Sequence, residues 1–118
     1  MASDYPNDSD GDALRGVLRN GSDMSKPMYI DFHVAMPTEE SANAMAKEVR
    51  RLGYRTSVYD STKCRLPWTC QCSTRMLATY EGVLAIQAEL EALSAPFGGF
   101  TDGWGTFGNG PNGQPDVE

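Results

Sequence analysis

The chain has 118 residues, which fits one domain and leaves little room for a second self-sufficient core. A formal net charge of −6 argues against a general nucleic-acid binder, since such proteins gain most of their affinity from Lys and Arg placed against phosphates. No apolar run approaches the ~20 residues that span a bilayer, and the N-terminus has neither a basic leader nor an apolar signal core. We therefore expect a small cytosolic protein with no membrane partner.

Charge is distributed unevenly along the chain. Residues 1–12 contain four aspartates and no basic residue, and residues 76–118 carry a net charge of −6. Residues 47–75 are basic, with a net charge of +5. This pattern is compatible with docking of a charged partner, although charged residues on solvated faces produce it as well.

The first predicted element is a short amphipathic helix after a flexible N-terminus of residues 1–8. A polar residue among 8–10 can cap it, because a short side-chain oxygen accepts a free backbone N–H at a helix start. Its apolar stripe consists of Leu14, Val17 and Leu18. Asn20-Gly21 favours a left-handed end to this helix.

A strand and a helix follow Pro27. In MYIDFHVAM, apolar residues alternate with polar ones, which is the period of a strand with one buried face. The apolar positions are Ile30, Phe32, Val34 and Met36. Thr38 can then cap a second helix that extends to about Leu52 and ends at Gly53.

Two strands, a helix and a last strand complete the predicted order. The strands cover residues 54–60 and 68–75, Thr79 can cap the next helix, and the final strand covers about 99–104. After the first helix the order is β-α-β-β-α-β. This order predicts a ferredoxin-like α+β sandwich, in which a four-stranded antiparallel sheet carries two helices on one face. The single domain covers residues 9–104, and the Gly/Asn/Pro-rich residues 105–118 form a flexible tail.

Three stretches of sequence resemble one known family. They are DGDALRGVLRNGSDMSKP, PTEESANAMAKEVRRLGY and AELEALSAPFGGFTDGWGTFG. In collinear order over about residues 10–108 they resemble the bacterial regulator of ribonuclease activity B family, also called ribonuclease E inhibitor B. The segment STKCRLPWTCQCSTRM at 61–76 departs from the family pattern, because it is basic and contains thiols.

The resemblance implies a cytosolic, ferredoxin-like protein with no known catalysis. It implies binding to ribonuclease E through the non-catalytic scaffold region of that enzyme, which alters messenger RNA turnover. We therefore expect a non-catalytic protein without a cofactor, whose partner is ribonuclease E or an equivalent RNA-degrading enzyme.

The cysteines suggest other chemistry, which their spacing disfavours. Cys64, Cys70, Cys72 and His33 match a Cys₃His zinc site in number and type. However, Cys-x-Cys on one strand differs from the usual Cys-x₂₋₄-Cys turn, so we expect buried thiols that act as small hydrophobes. A cysteine hydrolase is also disfavoured, since His33 is the only histidine and is predicted on the opposite sheet face.

Two further functions follow from the same predicted sheet. An RNA-recognition domain would need an aromatic-rich third strand, but the corresponding residues read WTCQCSTR, so direct nucleic-acid binding is not expected. A small-ligand sensor is the alternative to a ribonuclease regulator, because the uncovered sheet face is rich in polar and aromatic groups. The residues predicted on this open sheet face are Tyr29, Asp31, His33, Arg55, Tyr59 and Arg75.

Acidic residues are the predicted contacts to a ribonuclease partner. The implied scaffold is expected to be rich in arginine, which pairs well with clustered carboxylates. The candidate binding residues are Asp8, Asp10, Asp12, Glu81, Glu89 and Glu91. For the motif Asp102-Gly103-Trp104 we favour a structural role over direct contact with the partner, with Gly103 in an unusual backbone conformation and Trp104 at one end of the core.

Overall fold

A computed structural model describes residues 6–19, 21–60, 66–106 and 108–109. The elements, in chain order, are α1 (Ser9–Arg19), β1 (Met28–Met36), α2 (Glu39–Arg51), β2 (Arg55–Asp60), β3 (Trp68–Met76), α3 (Tyr80–Ser94), a 3₁₀ turn (Ala95–Phe97) and β4 (Phe100–Gly105). The strands form one four-stranded antiparallel sheet in the order β2-β3-β1-β4. This order confirms the predicted ferredoxin-like α+β arrangement with an additional N-terminal helix.

Helix starts are set by the predicted polar caps. Thr38 accepts the backbone N–H of Ser41 at 3.0 Å, and Ser41 Oγ accepts the backbone N–H of Thr38 at 3.1 Å. This reciprocal pair is a capping box, which satisfies two otherwise free donors. Thr79 caps α3 in the simpler way, by accepting the backbone N–H of Gly82 at 3.0 Å.

The chain is organised as two compact units. The first contains the described parts of residues 1–30, 75–85 and 105–118, and the second contains those of 31–74 and 86–104. In the first unit, Asn109 joins the segment that follows β4 to the turn before β1. Its Oδ1 accepts the backbone N–H of Asp23 at 2.7 Å, and its Nδ2 donates to the carbonyls of Lys26 and Pro27 at 3.2 Å.

The predicted flexible segments fall partly outside the described residues. Residues 1–5, 107 and 110–118 are not described, and neither are Asn20 and residues 61–65, which include Cys64. Within the tail predicted from residue 105 onwards, Thr106 donates to the carbonyl of Tyr29 at 2.5 Å.

The second unit contains most of the apolar core. Phe32, Val34 and Met36 of β1 are at most 1% exposed. Four residues of α2 are also buried, with the spacing of one face of an amphipathic helix: Ala42, Met45, Ala46 and Val49. Removal of these side chains from water is the main stabilising contribution in a domain of this kind.

Burial along β3 differs from the simple alternation that its sequence predicts. Cys70 and Cys72 are fully buried, but Thr69 and Ser73 on the opposite face are also buried, at 6% and 9% exposure. The register gives the reason: Thr69 is paired with Tyr59, and Ser73 is paired with Arg55. On an inner strand, a small side chain flanked by long ones loses access to water without any covering layer.

The connection from α3 to β4 depends on glycine. A Cβ at Gly99 would lie 2.6 Å from the carbonyl oxygen of Ala35 and 2.5 Å from Met36 Sδ. Gly103 has φ +103°, a left-handed conformation that L side chains rarely adopt. The glycines of the Gly-Gly-x-x-Asp-Gly motif therefore include one required by close packing and one required by backbone conformation.

Among the residues that the structure describes, no helix is both long enough and apolar enough to cross a membrane.

Gly99→Ala tests the close approach of β4 to β1. The added methyl group would clash with the carbonyl oxygen of Ala35, which is part of the β1 backbone and cannot shift without moving the strand. We therefore expect the free energy of unfolding to fall by about 1–3 kcal/mol. Gly105→Ala, at the last residue of β4, is the control, since nothing lies within 4 Å of a Cβ there. Urea unfolding of the two variants makes the comparison, and equal stabilities would contradict the packing argument.

Candidate functional site

Three of the predicted acidic residues surround one tyrosine hydroxyl in the first unit. Tyr80, the first residue of α3, donates its hydroxyl to Asp8 Oδ2 at 2.5 Å. The other oxygen, Asp8 Oδ1, accepts the backbone N–H of Gly11 at 2.8 Å and caps α1. One carboxylate thus joins the starts of two helices. We call Asp8, Asp10, Tyr80 and Glu81 the acidic cluster.

The members of the acidic cluster affect one another's protonation. The hydrogen bond to Asp8 raises the pKa of Tyr80, and the negative charges of Asp8, Asp10 and Glu81 raise it further. In return, the Tyr80 hydroxyl lowers the pKa of Asp8, and the backbone N–H of Gly11 also lowers it. The carboxylate of Asp8 is therefore charged at neutral pH and available to a cationic partner.

Asp12 lies one turn further along α1 and forms an ion pair with Arg15. Arg15 also donates to the carbonyl of Pro6 at 3.3 Å. Part of the charge of Asp12 is therefore neutralised within the helix.

The other two predicted contacts, Glu89 and Glu91, lie in the second unit and hold neighbouring elements in place. Glu89 Oε1 accepts the hydroxyl of the buried Tyr54 at 3.0 Å. Glu91 Oε1 accepts both the backbone N–H of Thr101 at 2.8 Å and its hydroxyl at 3.0 Å. Each contact uses one carboxylate oxygen, so the second oxygen retains its capacity to accept hydrogen bonds.

The open sheet face, the predicted site of the ligand-sensing alternative, is divided between the two units. Tyr29 and Arg75 belong to the first, whereas Asp31, His33, Arg55 and Tyr59 belong to the second. In the second unit Ser73 donates to Asp31 at 2.6 Å and Tyr59 donates to Gln71 at 3.4 Å. Polar groups on this face therefore bond to one another. Ligand sensing stays a prediction.

The two described thiols lie in the core. Cys70 Sγ and Cys72 Sγ are 3.9 Å apart and fully buried, on one side of β3 as their spacing predicts. The contact with Cys70 and burial raise the pKa of Cys72 well above its ordinary value, which keeps this thiol protonated. In the described ranges no three His, Cys, Asp or Glu side chains are placed to hold a metal ion.

The motif at 102–104 combines an exposed carboxylate with a core contact. The ring centroids of Trp104 and Phe32 are 6.5 Å apart with their planes tilted by 37°, within the range of favourable aromatic pairs. Asp102 is exposed. The burial of Phe32 supports the predicted structural role of the tryptophan.

Tyr80 was not among the residues that the sequence pattern indicates as functional. It is 72 positions from Asp8, and no periodicity connects residues so far apart. Its place at the first position of a capped helix, directly before Glu81, is the local signal for it.

The chain was compared with known protein families and with curated protein sequences. The family model for regulator of ribonuclease activity B matches residues 7–106 of the chain. No curated protein sequence matches it.

Tyr80→Phe tests the bond at the centre of the acidic cluster. The folded-state pKa of Asp8 is lowered, so its contribution to stability is present above the unfolded pKa and is lost as the pH falls through the folded value. We expect Tyr80→Phe to raise the pKa of Asp8 and to destabilise the protein more at pH 7 than at pH 2. Carboxyl NMR titration and urea unfolding at both pH values measure these effects.

Tyr59→Phe is the matched control, because the acceptor of Tyr59 is the neutral amide of Gln71. Its effect on stability should be the same at both pH values. If Tyr80→Phe lowered the stability by the same amount at pH 7 as at pH 2, as expected for Tyr59→Phe, the charge of Asp8 would not contribute to stability through Tyr80.

Proposed function

The chain belongs to the regulator of ribonuclease activity B family, and from this we propose that it regulates a ribonuclease by binding directly to the enzyme. The observation that carries the proposal is the family match over residues 7–106, which includes every described helix and strand. A match of this extent supports a shared role for the whole fold, not only a shared motif.

Ribonuclease E, or an enzyme with an equivalent scaffold, is the proposed partner, in the cytoplasm. A net charge of −6 opposes a direct contact with RNA and favours a basic protein segment. The acidic cluster supplies suitable acceptors, since carboxylates pair with arginine by charge-assisted and bidentate hydrogen bonds.

Regulation without catalysis is the proposed mode of action. Both described thiols are fully buried and therefore out of reach of a substrate, and Cys72 is in addition held protonated. Binding alone can change the activity of an enzyme when it blocks a surface or favours one of its conformations. The chain therefore needs a complementary surface and no reactive group.

Removal of the six predicted carboxylates tests the proposed partner contact. The variant replaces Asp with Asn and Glu with Gln at Asp8, Asp10, Asp12, Glu81, Glu89 and Glu91. Asn retains the ability of residue 8 to cap α1. An exposed ion pair contributes only about 0.2–1 kcal/mol, so single substitutions have little effect while the combined variant should weaken binding markedly and reduce its salt dependence.

Isothermal titration of the ribonuclease against the variant at several salt concentrations gives the affinity and the salt slope. A control of equal net charge carries six Asp→Asn or Glu→Gln substitutions at other acidic positions: Asp4, Glu39, Glu40, Glu48, Asp60 and Glu118. A third variant, with Cys64, Cys70 and Cys72 changed to Ser, is first checked for folding. Unchanged affinity and slope in the six-site variant would refute the acidic contact, most clearly if only the cysteine variant lost binding.

A further inference from the structure

We propose that Leu77, Tyr80 and Leu84, which we call the leucine patch, form the docking surface for a basic segment of the partner that carries apolar side chains between its arginines or lysines. The inference rests on the proposed function, since it names the surface through which the regulated ribonuclease would be bound. All three residues lie in the first unit, at the start of α3.

Two large apolar side chains of this surface are exposed to water. Leu77 is 45% exposed and Leu84 is 39% exposed. Leu84 lies four residues after Tyr80 and three residues after Glu81, so its side chain is a neighbour of both on the surface of α3. Single exposed leucines are common, but two that flank an aromatic ring at one helix end form a compact apolar surface.

The backbone around the leucine patch is already ordered. The carbonyl of Leu77 accepts the N–H of Thr79 at 3.0 Å, and Thr79 in turn caps α3. Below the cap, Met76 Cε and Thr79 Oγ1 approach Gly82 so closely that a Cβ there would lie 3.0 and 2.7 Å from them. The ring of Tyr80 is oriented by its bond to Asp8. A partner therefore loses little affinity to the ordering of this surface on binding.

Charge complementarity identifies the occupant. The acidic cluster adds the charges of Asp8, Asp10 and Glu81 around the Tyr80 hydroxyl. An apolar centre with carboxylates at its edge matches a segment that presents leucine-like side chains between arginines or lysines. A second copy of this chain would bring the same carboxylates together, and like charges at close range oppose such a contact.

The arrangement also assigns separate energetic roles. Burial of apolar area at the centre of an interface gives most of its affinity, whereas exposed charges at the edge act mainly on the association rate and its salt dependence. The leucine patch should therefore determine how slowly the complex dissociates. The acidic cluster should determine how fast it forms.

The test measures binding of the host's full-length ribonuclease to the full chain by surface plasmon resonance, together with the activity of the ribonuclease. In the double variant Leu77→Ser/Leu84→Gln, both side chains are exposed, so the fold should be retained. We expect at least a tenfold loss of affinity, mostly as faster dissociation, and a corresponding loss of regulation.

Leu52→Gln is the matched control, because Leu52 is 53% exposed and belongs to the second unit. It should bind and regulate like the unchanged chain. Glu81→Lys should instead slow association severalfold at low salt and have a smaller effect at high salt.

The outcomes distinguish the two proposals. If the ribonuclease binds the double variant as tightly as the unchanged chain, the leucine patch is not the docking surface, while the proposed function stands. If the ribonuclease does not bind the unchanged chain, the proposed function fails and the inference fails with it. A dimer of the unchanged chain that the double variant converts to a monomer in sedimentation would assign the patch to a second copy instead.

Discussion

Burial of one face of β1 is the constraint on which the rest of the structure depends. In the second unit, Phe32, Val34 and Met36 are all buried. Because β1 has a neighbouring strand on each edge, only a layer packed against the face of the sheet can bury these side chains. In the same unit, the apolar stripe of α2 and Leu90 of α3 are buried, as such a layer requires. Directly before β4, Gly99 lies so close to Ala35 and Met36 at the end of β1 that no side chain fits there.

Several carboxylates that suit a basic partner also hold the fold together. Asp8 joins the starts of α1 and α3, and Glu91 fastens α3 to Thr101 at the start of β4. These two roles are compatible, since a carboxylate has more acceptor sites than one internal bond uses. An internal bond also fixes the side-chain conformation, which lowers the entropy lost when a partner binds. The structural and the binding interpretations of these residues therefore support each other.

Local patterns in the sequence predict most of the helices and strands, because the signals for these elements lie within a few neighbouring residues. The alternation in MYIDFHVAM gives β1, and the hydroxyl of Thr38 with the residues after it gives the start of α2. Burial on β3 was harder to predict, since Thr69 and Ser73 are hidden by residues of another strand. Strand register is a tertiary property, and the alternation of one segment carries no information about the size of its neighbours.

The sequence by itself determined the element order, the family and the abundance of acidic side chains, because periodicity, capping and motif spacing are all properties of contiguous residues. Only the tertiary structure decided which acidic residues act together. Asp8 and Tyr80 meet across 72 positions, while Glu81 and Glu91 lie on one helix and belong to different compact units. A hydrogen bond or an electrostatic interaction depends on distances of a few ångströms, and for residues far apart in sequence those distances are set only when the chain has folded.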